Sequence, residues 1–279
     1  MKSLMIQGTS SGAGKTTLVA ALCRIFSDKG YSVAPFKSQN MSNFAYITPK
    51  FEISRAQAIQ AIGSRCEITP DLNPILLKPV GNYNSIVYVN GKRFKKMHAK
   101  EYYEKFVNHD GIKIVSKSLK KLQKKNDLVI LEGAGSPAEI NLQKFDIANM
   151  RIAHVANASV LLVSDIDKGG SFASLVGTMA LLEKKYQKLV QGFVLNKFRG
   201  DLDVLKPGFK KLKDITKIPV MGTIPLMTLD LPEEDSLHTN PKEIQWTKKN
   251  ISKIDNELNK LAKTVKSNID IKSIERMLQ

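Results

Sequence analysis

Residues 8–17 of this 279-residue chain constrain its fold more than any other stretch. They read GTSSGAGKTT, follow a short apolar run at 3–7, and lead directly into a helical pattern of apolar residues. A glycine-rich turn between a strand and a helix lets backbone N–H groups surround an anion, and the positive end of the helix faces the same point. In such a loop Lys15 reaches the terminal phosphates and the Thr16 hydroxyl can hold a magnesium ion. The first glycine lies one residue earlier than the strict spacing, so the pattern indicates a variant phosphate-binding loop.

This loop predicts a site for ATP and Mg²⁺. The alternative is a Gly/Ser-rich turn that binds nothing, but the strand, the loop, the Lys-Thr pair and the helix all agree with a nucleotide site. The residues that we expect to contact the nucleotide here are Ser11, Gly12, Ala13, Gly14, Lys15, Thr16 and Thr17.

Composition limits the class of protein. Hydrophobic residues make up 42% of the chain, which is enough for a sizeable core, and no apolar run approaches the roughly 20 residues of a membrane span. The first strand pattern begins at residue 3, which leaves no room for a signal peptide. The two cysteines, Cys23 and Cys66, are typical of a reduced compartment. We therefore expect a cytoplasmic protein without membrane contact.

The net charge of +17 is unevenly spread. Residues 92–125 hold twelve basic and three acidic side chains, on a segment whose apolar residues at 112, 115, 119 and 122 predict an amphipathic helix. A solvated helix face, attraction of a polyanionic substrate and a nucleic-acid surface all remain open. The lack of interleaved aromatic residues makes nucleic acid the least favoured of the three.

Short apolar runs alternate with helical patterns along most of the chain. This alternation predicts an α/β fold of the P-loop NTPase type, with a doubly wound, mostly parallel sheet and helices on both faces. Residues 80–110 interrupt the rhythm and predict a small β-hairpin insertion that turns at Asn90-Gly91. We expect an ATP-binding domain over 1–236 and a helical tail over 237–279, whose apolar stripe packs on the domain or docks a partner. The predicted strands cover 3–7, 32–35, 127–131, 159–163, 192–195 and 220–223, and the predicted helices 15–29, 52–64, 111–125, 171–186 and 205–216.

Polar clusters follow several of these strands, at the sheet edge where α/β proteins bind ligands. Lys37 can approach the same phosphates as Lys15 and stabilise charge in phosphoryl transfer. Glu132 ends an apolar strand and is placed to hold magnesium or its water shell, while Glu139 or Asn141 can face a substrate. Asn196, after the fifth strand, can both donate to and accept from an adenine edge; its plain alternative is a turn former. We expect Lys15, Lys37 and Glu132 to be catalytic.

Several of these motifs together resemble the cobyric acid synthase family, within the wider group of dethiobiotin-synthetase-like ATPases. The match runs in order over roughly residues 3–236, and EGAGSPAEINL at 132–142 and DIANM at 146–150 are its most specific parts. The other matching segments are QGTSSGAGKT at 7–16, PFKSQNM at 35–41, EISRAQ at 52–57, NPILLKP at 73–79, 165–178 and NKFRGD at 196–201.

The resemblance implies an amidoligase of cobalamin biosynthesis. In that family ATP activates side-chain carboxylates of a corrinoid, adenosylcobyrinic acid a,c-diamide, and ammonia then displaces phosphate to give amides. Carried over by position, Thr16, Glu52 and Glu132 would hold magnesium and Asn196 would contact adenine. The residues that the resemblance assigns to the substrate are Ser38, Gln39, Asn40, Arg55, Gln57, Glu139 and Asn141.

The sequence also departs from the family pattern. The family normally carries a second domain that hydrolyses glutamine through a Cys-His-Glu site, and neither cysteine here lies in a nucleophile-elbow context. We therefore expect ammonia to come from a separate glutamine amidotransferase subunit or from solution, unless the sequence is a fragment of a two-domain enzyme. The number and order of amidations and the oligomeric state remain open.

Two alternatives remain. One is a related ATP-dependent ligase that acts on another carboxylate, in cobyrinic acid a,c-diamide or dethiobiotin synthesis. The other is a ParA/MinD-like ATPase switch that binds a partner or DNA. Such switches carry an extra lysine early in the phosphate-binding loop, where this chain has Ser10.

Overall fold

The computed structural model of the chain describes residues 2–233 and 244–279. Its strands, in chain order, are β1 (Lys2–Gly8), β2 (Val33–Phe36), β3 (Gln39–Met41), β4 (Ala45–Ile47), β5 (Glu52–Ser54), β6 (Ile75–Pro79), β7 (Asn84–Val89), β8 (Lys92–His98), β9 (Leu128–Glu132), β10 (Ser159–Asp165), β11 (Val190–Phe198) and β12 (Val220–Pro225). Its α-helices are α1 (Lys15–Asp28), α2 (Arg55–Ser64), α3 (Ala99–Glu101), α4 (Ile112–Lys125), α5 (Met150–Ala156), α6 (Ser171–Leu181), α7 (Lys184–Gln187), α8 (Leu202–Thr216), α9 (Lys248–Asn268) and α10 (Ile271–Met277).

A six-stranded parallel sheet forms the centre of the fold. Its strand order is β12-β11-β10-β1-β9-β2, so β1, which leads into the phosphate-binding loop, lies between β10 and β9. Every residue of β9 is buried, because helices cover both faces of the sheet, and this is why the strand has no polar alternation. The α/β class, the parallel sheet and all six predicted central strands are confirmed, with ends that shift by three residues at most.

The predicted hairpin is part of a larger second sheet. β7 and β8 pair around Asn90-Gly91, where both residues have positive φ, 47° and 77°. β6 and β3 extend this hairpin to a four-stranded sheet of order β3-β6-β7-β8. The prediction missed β3 because a three-residue strand reading Gln-Asn-Met carries no apolar signal. A separate two-stranded sheet joins β4 and β5.

Three predicted helices differ in the structure, and the one expected over 205–216 begins earlier, at Leu202. The helix expected over 52–64 starts only at Arg55, because residues 52–54 form β5 against β4. The helix expected over 171–186 ends at Leu181, since Leu182 adopts an extended conformation before the short α7. Before α4, residues Tyr102–Gly111 form a ten-residue π-helix, which no periodicity in the sequence indicated.

The tail packs on the domain. The apolar stripe of α9 is buried in the same core cluster as α1, and α10 adds Ile271 and Ile274 to it. The buried guanidinium of Arg24 on α1 forms an ion pair with Asp255 and donates a hydrogen bond of 2.8 Å to Asn259, both on α9. The expected boundary between 236 and 237 lies outside the described residues. In the described part of the chain, no helix is both long and apolar enough to cross a membrane.

Candidate functional site

The phosphate-binding loop lies between β1 and α1, at the carboxyl end of the central sheet. Gly14, directly before α1, has φ of 92°, and a Cβ added there would lie 1.9 Å from Asn196 Nδ2. Only glycine therefore fits this position, for reasons of both backbone conformation and space. Lys15 Nζ donates to the carbonyl oxygens of Ser10 and Gly135, both at 2.9 Å, so the lysine spans the loop and the segment after β9.

Glu132, the last residue of β9, is the centre of the polar network. It is buried, and its Oε1 accepts hydrogen bonds from Thr16 Oγ1 at 2.8 Å and from Lys37 Nζ at 2.7 Å. Its Oε2 accepts from Gln60 Nε2 at 2.6 Å. A buried carboxylate is tolerated only when it is paired and hydrogen-bonded, and Glu132 meets both conditions. The structure thus brings together Lys15, Thr16, Lys37 and Glu132, which the sequence had predicted as phosphate, metal or catalytic residues.

Thr16 and Glu132 also fit a magnesium ion. A hydroxyl and a carboxylate oxygen 2.8 Å apart can coordinate one small cation, whose other ligands would be phosphate oxygens and water. In the described residues no group of three or more His, Cys, Asp or Glu side chains could hold a metal.

The amide residues around Glu132 form a connected chain. Asn40 Nδ2 donates to Ser54 Oγ at 2.6 Å and to Gln57 Oε1 at 3.3 Å, and Gln57 Nε2 lies 3.5 Å from Glu132 Oε2. Asn40 and Gln57 were predicted to bind substrate, and their described contacts are to this network. Gln60 was missed. Its position three residues after Gln57 on α2, on the same helix face, was the available signal.

Other predicted site residues lie elsewhere. Glu52, expected to hold magnesium, forms an ion pair with Lys78, and its backbone N–H donates to Gly91 O. β5 pairs with β4, and the Glu52 carboxylate meets Lys78 of the second sheet, where burial lowers the pKa of Lys78. Magnesium binding by Glu52 stays a prediction. Arg55 lies over the Phe44 ring at 4.4 Å and donates to the Glu233 carbonyl at 3.2 Å.

The remaining predicted substrate residues differ in their exposure to solvent. Glu139 and Asn141 are exposed in the loop after β9. Ser38 is buried between Lys37 and Gln39, and its hydroxyl has no hydrogen-bond partner among the described residues.

Asn196 and Lys197, at the end of β11, contact the phosphate-binding loop from the other side. Asn196 Nδ2 donates to Ala13 O at 2.9 Å, which leaves its Oδ1 as an acceptor. Lys197 Nζ donates to Gly12 O at 2.8 Å and pairs with Asp165 at 2.7 Å. Lys197 has φ of 60°, a conformation that an L-residue adopts only where its surroundings hold it. The sequence marked this Asn-Lys pair but not its contacts with the loop.

Two cavities meet at this edge of the sheet. The first, of about 830 Å³, is lined by the phosphate-binding loop, by Lys37, Glu132 and Asn196, and by apolar residues after β12 and on α9. The second, of about 300 Å³, lies beside the loop after β9 and includes Glu139. Gln39, Ala134 and Gly135 line both. Asn141 and Ser38 line neither.

The two thiols differ from a catalytic cysteine. Burial raises the pKa of Cys23 well above its usual value, and burial is also the main cause that raises the pKa of Cys66. Both are therefore neutral, weakly nucleophilic thiols at neutral pH.

Comparison with known proteins gives the same picture. A protein of Clostridium novyi named cobyric acid synthase is 52% identical over 236 residues, which cover 84% of this chain and 46% of that protein. One of Thermococcus kodakarensis, named probable cobyric acid synthase, is 53% identical over 245 residues, 86% of this chain and 50% of that protein. The chain thus spans about half the length of the curated relatives that it matches.

Solved structures show weaker likeness. The cell division protein MinD of Aquifex aeolicus is 15% identical, with a TM-score of 0.45 over 81% of this chain and 83% of that one. The signal recognition particle receptor FtsY of Elizabethkingia anophelis is also 15% identical, with a TM-score of 0.47 over 92% of this chain and 63% of that one. Sequence identities and TM-scores this low say nothing about function. Residues 4–237 match the CobQ/CobB/MinD/ParA nucleotide binding domain. Because that match spans most of its length, this chain belongs to the CobQ/CobB/MinD/ParA nucleotide binding domain family, and the two curated relatives described above are named cobyric acid synthase and probable cobyric acid synthase.

Proposed function

We propose that this chain is the ATP-dependent synthetase unit of a cobyric acid synthase, which amidates side-chain carboxylates of adenosylcobyrinic acid a,c-diamide. The observation that carries the proposal is the cluster of Lys15, Lys37, Thr16 and Glu132 in the first cavity, which Lys15 links to the second through its contact with Gly135. One cavity has the residues for a nucleotide. The other adjoins Lys15 through Gly135 and offers room for an acceptor.

The chemistry follows from the need for a leaving group. A carboxylate oxygen of the acceptor attacks the γ-phosphorus of ATP, ADP leaves, and an acyl phosphate forms. Ammonia then attacks the acyl carbon, phosphate leaves with the bonding electron pair, and the nitrogen releases a proton to give the amide. Hydroxide would be a far poorer leaving group than phosphate, so the first step makes the second possible.

The side chains of this site would serve the first step. Lys15 and Lys37 place two positive charges beside the transferring phosphoryl group, where negative charge must be stabilised as ADP departs. Thr16 and Glu132 would hold magnesium, which neutralises charge between the outer phosphates. Asn196 Oδ1 would accept from the exocyclic amine of adenine, while its Nδ2 stays on Ala13 O.

The source of ammonia is part of the proposal. We propose free ammonia or a glutamine amidotransferase, either a separate subunit or the remainder of a longer protein, because the chain spans only half the length of its relatives. The proposed domain boundary near residue 236 agrees with the end of the family match at 237.

The decisive experiment measures ADP release by the purified chain with adenosylcobyrinic acid a,c-diamide, with ammonium chloride or glutamine as nitrogen donor, and identifies the corrinoid product by mass spectrometry. We expect ADP release that depends on both corrinoid and ammonium, an amidated product, and no activity with glutamine alone. Lys15→Ala should abolish turnover. No turnover with ammonium would contradict the proposal for this chain.

Two further assays with the same protein test the alternative functions. Turnover with cobyrinic acid or 7,8-diaminopelargonic acid in place of the diamide would favour a related ligase. ATP hydrolysis that needs no carboxylate and is stimulated by DNA would favour a ParA/MinD-like switch, which the amide-rich surroundings of Glu132 do not suggest.

A further inference from the structure

The boundary between the two cavities contains a buried glutamine whose side-chain oxygen already accepts a hydrogen bond. Gln39 is 8% exposed, lies on β3, and lines both cavities. The Tyr102 hydroxyl donates to Gln39 Oε1 at 2.7 Å. In the described part of the chain, the Nε2 of Gln39 makes no hydrogen bond, so its two N–H groups remain available at the boundary.

Tyr102 is well suited to hold Gln39 in this orientation. It is the first residue of the π-helix, a rare geometry that is frequent at functional sites. Its ring packs on Phe106 of the same helix at 5.5 Å, which limits its movement. Burial raises the pKa of the Tyr102 hydroxyl well above its usual value, so the group remains a neutral donor across the working pH range. This donor holds Oε1 in place and leaves the two Nε2 hydrogens of Gln39 for a ligand.

The second cavity has the dimensions and lining for an aliphatic arm that ends in a carboxylate. About 300 Å³ is too small for a corrin ring but ample for one side arm. Tyr103, Phe145 and Leu182 supply apolar walls for methylene groups. Asp146 also lines it, but its carboxylate already accepts from the backbone N–H groups of Ala148, Asn149 and Arg151.

The end of this cavity that adjoins Lys15 carries donors. Lys15 Nζ contacts Gly135 O at 2.9 Å, so a group beside Gly135 lies next to the phosphate lysine. Among the described residues, the backbone N–H groups of Ala134, Gly135 and Ser136 donate no hydrogen bond. Together with Gln39 Nε2, these groups supply neutral hydrogen-bond donors for a carboxylate at this end of the cavity.

We propose that the second cavity receives the carboxylate-bearing arm of the acceptor, and that Tyr102 is a positioning residue which fixes Gln39 so that its amide N–H groups hold that carboxylate beside Lys15. This inference rests on the proposed function. The sequence already predicted Gln39 as a substrate-binding residue. The roles of Tyr102 and of the second cavity are inferred from the structure alone.

The test compares Tyr102→Phe with wild type. Removal of the hydroxyl frees Gln39 to rotate, so the KM for adenosylcobyrinic acid a,c-diamide should rise about tenfold, the equivalent of roughly 1.4 kcal/mol. The kcat should change less than the KM, and the Kd for ATP should stay within twofold. Tyr31→Phe is the matched control, since Tyr31 packs on Phe26 and lines neither cavity. Gln39→Leu, which removes the donors themselves, should raise the KM at least as much.

The outcomes separate the inference from the function on which it rests. A wild-type chain that turns over while Tyr102→Phe keeps the same KM would overturn the role of Tyr102. If Tyr102→Phe loses ATP affinity and thermal stability as well as corrinoid affinity, the tyrosine has a general packing role. That result would also overturn its role as a positioning residue for Gln39. A wild-type chain without corrinoid-dependent turnover refutes the proposed function first, and the inference falls with it.

Discussion

Single residues at this site carry several contacts each, so small changes have large expected effects. Glu132 accepts from Thr16, Lys37 and Gln60 at once. Gly14 combines a positive φ with contact to Asn196, which leaves no room for a side chain.

Glu132→Gln keeps the shape of the side chain but removes its charge. The amide would pair poorly with Lys37 and would be a weak ligand for magnesium, so ATP-dependent turnover should fall by about 10²-fold or more. The chain should still fold, but with a lower melting temperature than wild type, because the buried ammonium of Lys37 loses its carboxylate partner. Assays over a magnesium titration check this. Glu183→Gln, at an exposed ion pair with Lys185, should behave as wild type; an unchanged rate in Glu132→Gln would refute the assignment.

Gly14→Ala should weaken ATP binding by at least about tenfold, since the new methyl group pushes Asn196 from Ala13 and distorts the loop. Isothermal titration calorimetry with ATP measures this effect. Gly30→Ala is the matched control, because Gly30 also has positive φ, 89°, but open space around it. That control should cost only about 1–2 kcal/mol of stability and leave ATP affinity unchanged. Equal ATP affinities in the two variants would contradict the steric argument.

At the scale of elements, α9 links the tail to the nucleotide site. Leu258 is fully buried in the cluster with α1, while Leu261 and Val265, one and two turns further on, line the first cavity. The ion pair between Arg24 and Asp255 holds the same helix against α1. Movement of α9 would therefore alter the cavity wall.

Leu258→Ala should lower the free energy of unfolding by about 2–5 kcal/mol through the lost contacts and the cavity left behind. It should also weaken ATP binding, because the α9 wall of the first cavity loosens. Urea denaturation and ATP titration measure the two effects. Ile215→Ala, at a side chain that is 67% exposed, should change stability by less than about 0.5 kcal/mol. A wild-type stability for Leu258→Ala would show that α9 does not pack on α1 in solution.

Across the whole molecule, the exposed basic strand β8 is linked to the wall of the second cavity through the π-helix, although no Lys or Arg lines that cavity among the described residues. β8 is exposed except for Met97, and Phe94 of β8 packs on Phe106 of the π-helix, at 5.8 Å between rings. The π-helix in turn supplies Tyr103 to the cavity wall. Of the three readings of the lysine-rich segment, attraction of a polyanionic acceptor is the one that this placement favours.

The double substitution Arg93→Glu and Lys96→Glu should lower kcat/KM for the corrinoid severalfold at low salt, with little effect at high salt, where exposed charges are screened. Initial rates over a salt series measure this. The control is Lys210→Glu with Lys211→Glu, the same change of charge on exposed positions of α8. If both double variants lower kcat/KM equally, the net charge of the whole protein attracts the substrate, and β8 has no special role.

Most of the fold was predictable because its signals are local. A buried parallel strand reads as a short apolar run, and a loop that surrounds phosphate needs its glycines and its Lys-Thr pair in a fixed order. Lys15, Lys37, Glu132 and Asn196 could therefore be placed at one sheet edge in advance. The second sheet was only half predictable, since its hairpin of β7 and β8 has a local turn signal, whereas β3 is short, polar and stabilised by pairing with β6, which lies beyond α2 in the chain.

Glu52 and Gln60 show where sequence reasoning ends. Glu52 lies just before α2 and Gln60 lies within it, and contacts with distant parts of the chain decide that Glu52 meets Lys78 while Gln60 meets Glu132. The α/β architecture and the phosphate-binding loop follow from the order of residues along the chain, because both depend on residues that are neighbours in it. The partners of Glu132, the hydrogen bond from Tyr102 to Gln39 and the second cavity are defined only once the chain is folded, because they depend on contacts between residues as much as 116 positions apart.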